Sequence, residues 1–61
     1  GAAAIILVHN HPSGEPAPSP EDKQITHKII EACRFVDIQV LDHLIIGHDS
    51  YFSFADEGIL N

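Results

Sequence analysis

A short apolar run that ends on two histidines constrains this chain more than any other feature. Residues 2–8 are all Ala, Ile, Leu or Val, and His9 and His11 follow with one residue between them. The continuous apolar segment Ala3–Val8 predicts a strand that is buried on both faces. Because strand side chains alternate between faces, we expect both imidazoles to project from the same side at the end of this strand.

The segment after the histidines predicts a loop and then a helix. Residues 10–18 are interrupted repeatedly by Pro and Gly, which is typical of a loop. Ser19 suits a helix N-cap, because Pro20 occupies the first helical position and Asp22 lies three residues after the cap. We expect the helix to end between Phe35 and Asp37.

The predicted helix has one apolar face and one charged face. The residues expected to pack against the core are Ile25, Ile29, Ala32, Cys33 and Val36. The residues expected to face outward are Glu21, Lys23, Lys28 and Glu31. Cys33 is interpreted as a packing residue. As the only cysteine it cannot form an intramolecular disulfide, which favours a reducing, cytoplasmic compartment.

The second half of the chain predicts a β-hairpin and a short tail. Residues 38–47 are predicted as one strand, residues 48–50 as a turn and residues 51–54 as another strand. Residues 55–61 are predicted as an irregular tail or a single helical turn. The order strand-helix-strand-strand predicts an α/β fold, with a right-handed crossover followed by an antiparallel edge strand.

Four further polar residues need an interpretation. Asp42 and His43 interrupt an apolar strand, and adjacent strand residues point to opposite faces. They therefore cannot both line one site, and we expect one of them to support the site or the fold through a hydrogen bond. His27 and His48 are expected on the surface, on a helix face and in a turn.

Size and charge limit the possible functions. A 61-residue chain is one small domain or part of one, and a domain of this size is marginally stable without a metal, a partner or more chain. The net charge is −6 with three Lys and Arg residues, which disfavours nucleic-acid binding through this segment. No apolar run approaches about 18 residues, so no membrane span is expected. Because the chain opens directly in a strand, we interpret residues 1–61 as the C-terminal part of a longer domain.

His9, His11 and Asp22 together predict a metal site with three protein ligands and a position left for water. Ser19 and Asp22 also have a purely structural interpretation as a helix cap, and the two roles can coexist. Ser19 would then cap the helix or donate a hydrogen bond to an oxyanion beside the metal. A ferrous site with the same ligands ranks below zinc, and the motifs of a nucleobase deaminase are absent.

The string H-x-H-P-x-G followed by S-x-x-D resembles the JAMM (MPN-plus) metalloproteases. Four blocks resemble, in order, the C-terminal half of the bacterial RadC family: A-A-x-I-I-L-x-H-N-H-P-S-G, P-S-P-E-D, L-D-H-L-I-I-G and S-F-A-D-E-G. The resemblance covers essentially the whole chain. It implies a partial MPN/JAB-like α/β core, related in architecture to the cytidine-deaminase fold.

The same resemblance implies a zinc metallopeptidase. Zn²⁺ would be held by His9, His11 and Asp22, Ser19 would assist the oxyanion, and the substrate would be a peptide or isopeptide. JAMM enzymes also use a glutamate from an upstream strand as general acid and base, and none precedes His9. Glu15 follows the ligands and is not given that role. We therefore expect this chain to bind metal but to turn over little substrate.

Two alternatives stay open from the sequence. The family carries a DNA-repair label, which would require a basic surface from elsewhere in the protein. A non-catalytic MPN scaffold is the other alternative, although scaffolds of this kind have lost their metal ligands. A homo-oligomer that covers the first strand is also left open.

Overall fold

A computed structural model describes residues 3–60, which form a three-stranded sheet with a helix packed on it. The elements are β1 (Ala3–Asn10), α1 (Pro20–Phe35), β2 (Ile38–Ile46) and β3 (Tyr51–Ser53). The predicted strand-helix-strand-strand α/β fold is confirmed. β1 extends two residues beyond its predicted end, so His9 lies within the strand. Gly1, Ala2 and Asn61 of the predicted first strand and tail lie outside the described residues.

The sheet has the order β1-β2-β3, so β2 is its central strand. β1 runs parallel to β2, and β3 pairs antiparallel with the end of β2. The prediction that β1 is buried on both faces is wrong, because Ile6 is 53% exposed and Val8 is 63% exposed. α1 covers one face of the sheet, and none of the elements in residues 3–60 covers the other.

An irregularity in β2 determines which of its side chains face the helix. Ile5 pairs with Val40 but Ile6 pairs with Asp42, so Leu41 is an extra residue in β2. A β-bulge of this kind shifts the alternation of side chains by one position. Val40 and His43 therefore share the helix-facing side although they are three residues apart, and both are buried.

The helix packs through only part of the predicted apolar face, together with two polar residues. The buried residues of α1 are Asp22 and Thr26, followed by the half-buried Ile29, Ile30 and Cys33. Ile25 is 50% exposed, Val36 is 62% exposed and Ala32 is exposed, so their assignment to the core was wrong. Positions 22, 26, 29 and 33 form one helical stripe, so Ile29 and Cys33 pack as predicted, while positions 25, 32 and 36 lie beside the stripe.

The core lies between the sheet and the segment that follows β3. Ile45 and Phe54 are completely buried, and the Phe54 ring stacks on His43 with centroids 4.7 Å apart. The chain turns back after β3 over residues 54–58. Among residues 3–60, no helix has the length and apolar character that a bilayer crossing requires.

Asp42 fastens this returning segment to β2. Its Oδ1 accepts the N–H groups of His43 at 2.7 Å and Ala55 at 2.9 Å, and its Oδ2 accepts the Ser53 hydroxyl at 2.6 Å. Burial opposes ionisation of this carboxyl, but these hydrogen bonds outweigh it and lower the pKa of Asp42. Asp42 and His43 do not line one site, as expected, and the hydrogen-bonding role expected of one of them is found in both. The bulge allows both to form hydrogen bonds, in separate networks.

Candidate metal centre

Three side chains from two elements meet at the carboxyl end of β1. His9 is the next-to-last residue of β1 and pairs with Ile45, which places its ring on the helix-facing side. His11 follows two residues later, and Asp22 lies in the first turn of α1. One nitrogen or oxygen atom from each of these residues lies within 4.8 Å of the other two.

The spacing of these atoms suits a small tetrahedral ion. His11 Nε2 lies 3.0 Å from Asp22 Oδ2, and His9 Nδ1 lies 3.6 Å from Asp22 Oδ1. The two imidazole rings meet edge to face with centroids 4.7 Å apart. Ligands bound at about 2.0–2.1 Å to a tetrahedral zinc ion are separated by about 3.3 Å, so each imidazole lies at a suitable distance from one Asp22 oxygen, the two distances ending on different oxygens. The donor set therefore fits zinc, and the assignment of these residues as ligands stays a prediction.

The backbone fixes the orientation of the His11 ring. His11 Nδ1 lies 2.8 Å from the carbonyl oxygen of Glu15, and because a carbonyl only accepts, Nδ1 carries the hydrogen. Nε2 faces Asp22 Oδ2 at 3.0 Å, where it donates a hydrogen bond to the carboxylate or, without that hydrogen, acts as a metal ligand. Histidine ligands in proteins are commonly oriented in this way by a hydrogen bond from the other ring nitrogen.

The loop that carries His11 is held against the end of the hairpin. The His11 N–H donates to the carbonyl of Ile46 at 3.1 Å, and the His48 N–H donates to the carbonyl of Gly14 at 3.1 Å. Gly14 has a φ of +83°, and a Cβ at this position would overlap the His48 ring. His48 is exposed, as predicted for a turn residue, and it also packs against this loop.

Ser19 and Asp22 form a reciprocal helix cap. The Ser19 hydroxyl accepts the Asp22 N–H at 3.1 Å, and Asp22 Oδ2 accepts the Ser19 N–H at 2.8 Å. Burial opposes ionisation of Asp22, but hydrogen bonding from Ser19 and the nearby imidazoles of His11 and His9 outweigh it. The pKa of Asp22 is therefore lowered, and its carboxylate is negative at neutral pH while it both caps the helix and faces the histidines.

Two buried polar residues lie beneath the cluster. Thr26 is completely buried and His43 is 5% exposed, and the Thr26 hydroxyl contacts both the Asp22 carbonyl and His43 Nδ1. Thr26 escaped the sequence analysis, although its spacing of four residues from Asp22 places both on one helix face. The exposed His27 of the described helix takes no part in the cluster.

Comparison with known proteins identifies the family. The model of the RadC-like JAB domain matches residues 1–59. The chain belongs to the RadC-like JAB domain family. The resemblance to RadC seen in the sequence is thereby confirmed, and JAB domains are often associated with zinc.

Curated relatives of this RadC-like JAB domain are similar over almost all of its length. A "UPF0758 protein" of Psychromonas ingrahamii is 60% identical over 57 residues, which are 93% of this chain and 25% of the relative. A second, from Trichlorobacter lovleyi, is 58% identical over 97% of this chain and 26% of the relative. A third, from Chloroflexus aggregans, is 60% identical over 95% of this chain and 25% of the relative. The chain thus spans about a quarter of the length of these relatives.

Proposed function

We propose that this chain supplies the metal ligands of a zinc-dependent hydrolase that cleaves peptide or isopeptide bonds. The observation that carries the proposal is the cluster of His9, His11 and Asp22, whose donor atoms lie within 4.8 Å of one another. Catalytic zinc sites use three such ligands and keep a fourth position for water or substrate. The membership of the JAB family supports the same assignment.

The surrounding residues suit amide hydrolysis. A zinc ion held by His9, His11 and Asp22 would lower the pKa of a bound water molecule to about 7 and would polarise a carbonyl group. The Ser19 hydroxyl accepts the Asp22 N–H and keeps its own hydrogen, which can turn towards the Asp22 carboxylate or towards an oxyanion. Ser19 thus caps the helix through its oxygen and stabilises a tetrahedral oxyanion through its hydrogen.

The proposal assigns the general acid and base to another part of the protein. Glu15 accepts a hydrogen bond from the His11 ring through its backbone carbonyl, and the residue is exposed. We propose that residues 1–61 form the C-terminal part of a RadC-like JAB domain, in agreement with the quarter of the relatives' length that they span. Because proton transfer contributes about 100- to 10,000-fold, the 61-residue chain alone binds zinc but hydrolyses little.

The charge of the chain favours a protein substrate over a nucleic acid. With a net charge of −6 and three Lys and Arg residues, this segment offers phosphate groups few partners, so the DNA-repair role receives no support from it. The lone cysteine fits a reducing, cytoplasmic setting for the reaction.

Zinc titration tests this proposal directly. We expect the purified protein to bind one equivalent of Zn²⁺ in isothermal titration calorimetry after removal of metal with a chelator. His11→Ala and Asp22→Asn should each weaken binding by more than the roughly 10- to 100-fold typical of losing an outer partner of a ligand. His27→Ala, at an exposed histidine outside the cluster, is the matched control and should bind as the wild type does. Equal zinc affinity in the wild type and Asp22→Asn would refute the proposal.

A further inference from the structure

A hydrogen-bonded pair of buried polar side chains lies under the candidate metal centre. Thr26 has no exposed surface and His43 is 5% exposed. Few side chains in the described part of the chain are fully buried. A buried hydroxyl and a buried imidazole cost free energy unless each has a partner. Here they partner each other, because Thr26 Oγ1 lies 2.5 Å from His43 Nδ1.

The direction of these hydrogen bonds follows from the groups involved. Thr26 Oγ1 also lies 2.6 Å from the backbone carbonyl of Asp22, which can only accept. A threonine hydroxyl has a single hydrogen, so it donates to that carbonyl. The contact with His43 then requires Nδ1–H to donate and Thr26 to accept. His43 therefore carries a hydrogen on Nδ1, which in the neutral ring is the less common tautomer in water.

The Thr26–His43 pair contacts two of the three candidate ligands, Asp22 and His9, in different ways. Through Thr26 it holds the helix turn at the backbone of Asp22. Through its ring, His43 stacks on His9 with centroids 6.2 Å apart and an angle of 22° between the planes. Phe54 also stacks on the His43 ring, with centroids 4.7 Å apart at 17°. The His43 ring is thus packed on a core aromatic and stacks with a candidate ligand.

We propose that Thr26 and His43 are positioning residues that fix Asp22 and the His9 ring for metal binding. The inference rests on the proposed metal function. Thr26 sets the tautomer and the rotation of the His43 ring, and the ring limits the orientations open to His9. Outer partners of this kind typically contribute about 10- to 100-fold to metal affinity.

The first test does not involve metal. In the metal-free, ¹⁵N-labelled protein, the ring nitrogens of His43 should show the Nδ1–H tautomer in two-bond proton–nitrogen correlation spectra. Thr26→Val has nearly the same shape but no acceptor, and it should shift His43 towards the Nε2–H tautomer. Thr26→Ser restores the hydroxyl and should restore the wild-type spectrum. Finding the Nε2–H form in the wild type would overturn the inference.

The second test measures zinc affinity by competition with a chromogenic chelator. Thr26→Val and His43→Phe should each weaken binding by about 10- to 100-fold, and Thr26→Ser should bind within a few-fold of the wild type. His27→Phe makes the same chemical change as His43→Phe at an exposed position and should leave affinity unchanged. Circular dichroism of each metal-free variant verifies that it is folded.

The two proposals fail in different ways. Wild-type affinity in folded Thr26→Val and His43→Phe proteins would overturn the positioning role and leave the zinc site intact. A wild-type protein that does not bind zinc would instead end the proposed function, and the positioning role with it. If Thr26→Val does not fold, the wild-type tautomer and the affinities of Thr26→Ser and His43→Phe still decide the question.

Discussion

The Asp22 carboxylate belongs to a helix cap and to the histidine cluster at the same time. Its Oδ2 accepts the Ser19 N–H and also lies 3.0 Å from His11 Nε2, while Oδ1 faces His9. The cap restricts the side chain to one orientation before any metal arrives. Less conformational entropy is then lost on binding, which is the general advantage of a preorganised site.

The cap makes a prediction for Ser19 that is independent of metal. Ser19→Ala removes the acceptor for the Asp22 N–H and should lower the free energy of unfolding by about 1 kcal/mol. Ser19→Asn keeps a good capping side chain and should retain most of that stability. Urea denaturation of the metal-free proteins measures both variants. A Ser19→Ala protein as stable as the wild type would show that this cap contributes nothing to the fold.

Among the secondary-structure elements, the bulge in β2 determines which of Asp42 and His43 faces the helix, which the sequence alone left open. Strict alternation from Val40 would place Asp42 on the helix side and His43 on the other. The extra residue, Leu41, reverses this, so His43 reaches Thr26 and Asp42 binds the returning segment. Leu41 is an ordinary strand residue, and nothing in the local pattern distinguishes it from its paired neighbours.

The helix shows which sequence signals were sufficient to predict its structure and which were not. The N-cap at Ser19 and the first helical residue Pro20 depend on local chemistry, and both were predicted from the sequence. Part of the packed face was missed because Asp22 and Thr26 occupy it where apolar residues were expected. The apolar stripe by itself predicts that Ile25 packs against the sheet, but Ile25 lies beside the observed interface. Polar residues buried for a site mislead any rule that equates burial with hydrophobicity.

The loop after β1 makes a second prediction, in which two glycines are compared. Gly14 and Gly58 both have positive φ, and a left-handed backbone costs an L-residue about 1–2 kcal/mol. A Cβ on Gly58 would meet nothing within 4 Å, whereas one on Gly14 would overlap the His48 ring. Gly14→Ala should therefore destabilise the protein more than Gly58→Ala in urea denaturation. His48→Ala in the Gly14→Ala background should recover the excess, and equal losses for the two single variants would contradict the contact.

At the scale of the whole molecule, the described fold has a small core and an open apolar face. Within residues 3–60 the buried apolar side chains are those of Val40, Ile45 and Phe54. Ile6, Val8 and Tyr51 lie on the sheet face away from α1, and each is more than half exposed. A 61-residue domain buries only about 60% of its unfolded surface, so its own packing leaves it marginally stable. The free energy of binding a ligand then has a large effect on the stability of the folded state.

Zinc should therefore stabilise this protein visibly. A ligand at 100 times its dissociation constant adds about 2.7 kcal/mol to the stability of a folded state that alone binds it. For a domain of this size, 1 kcal/mol corresponds to about 4–8 °C, so Tm should rise by roughly 10–20 °C on zinc addition and fall again with a chelator. Thermal unfolding followed by circular dichroism measures this shift.

Asp22→Asn is the control for this measurement. Its amide oxygen can still accept the Ser19 N–H, so the helix cap survives while the negative charge between the two imidazoles is lost. The variant should unfold at nearly the same temperature with and without zinc. An equal rise of Tm in Asp22→Asn and the wild type would place the stabilising zinc away from the cluster, at exposed histidines such as His27. Because the cap is common to both proteins, the difference between their shifts isolates the contribution of the carboxylate charge.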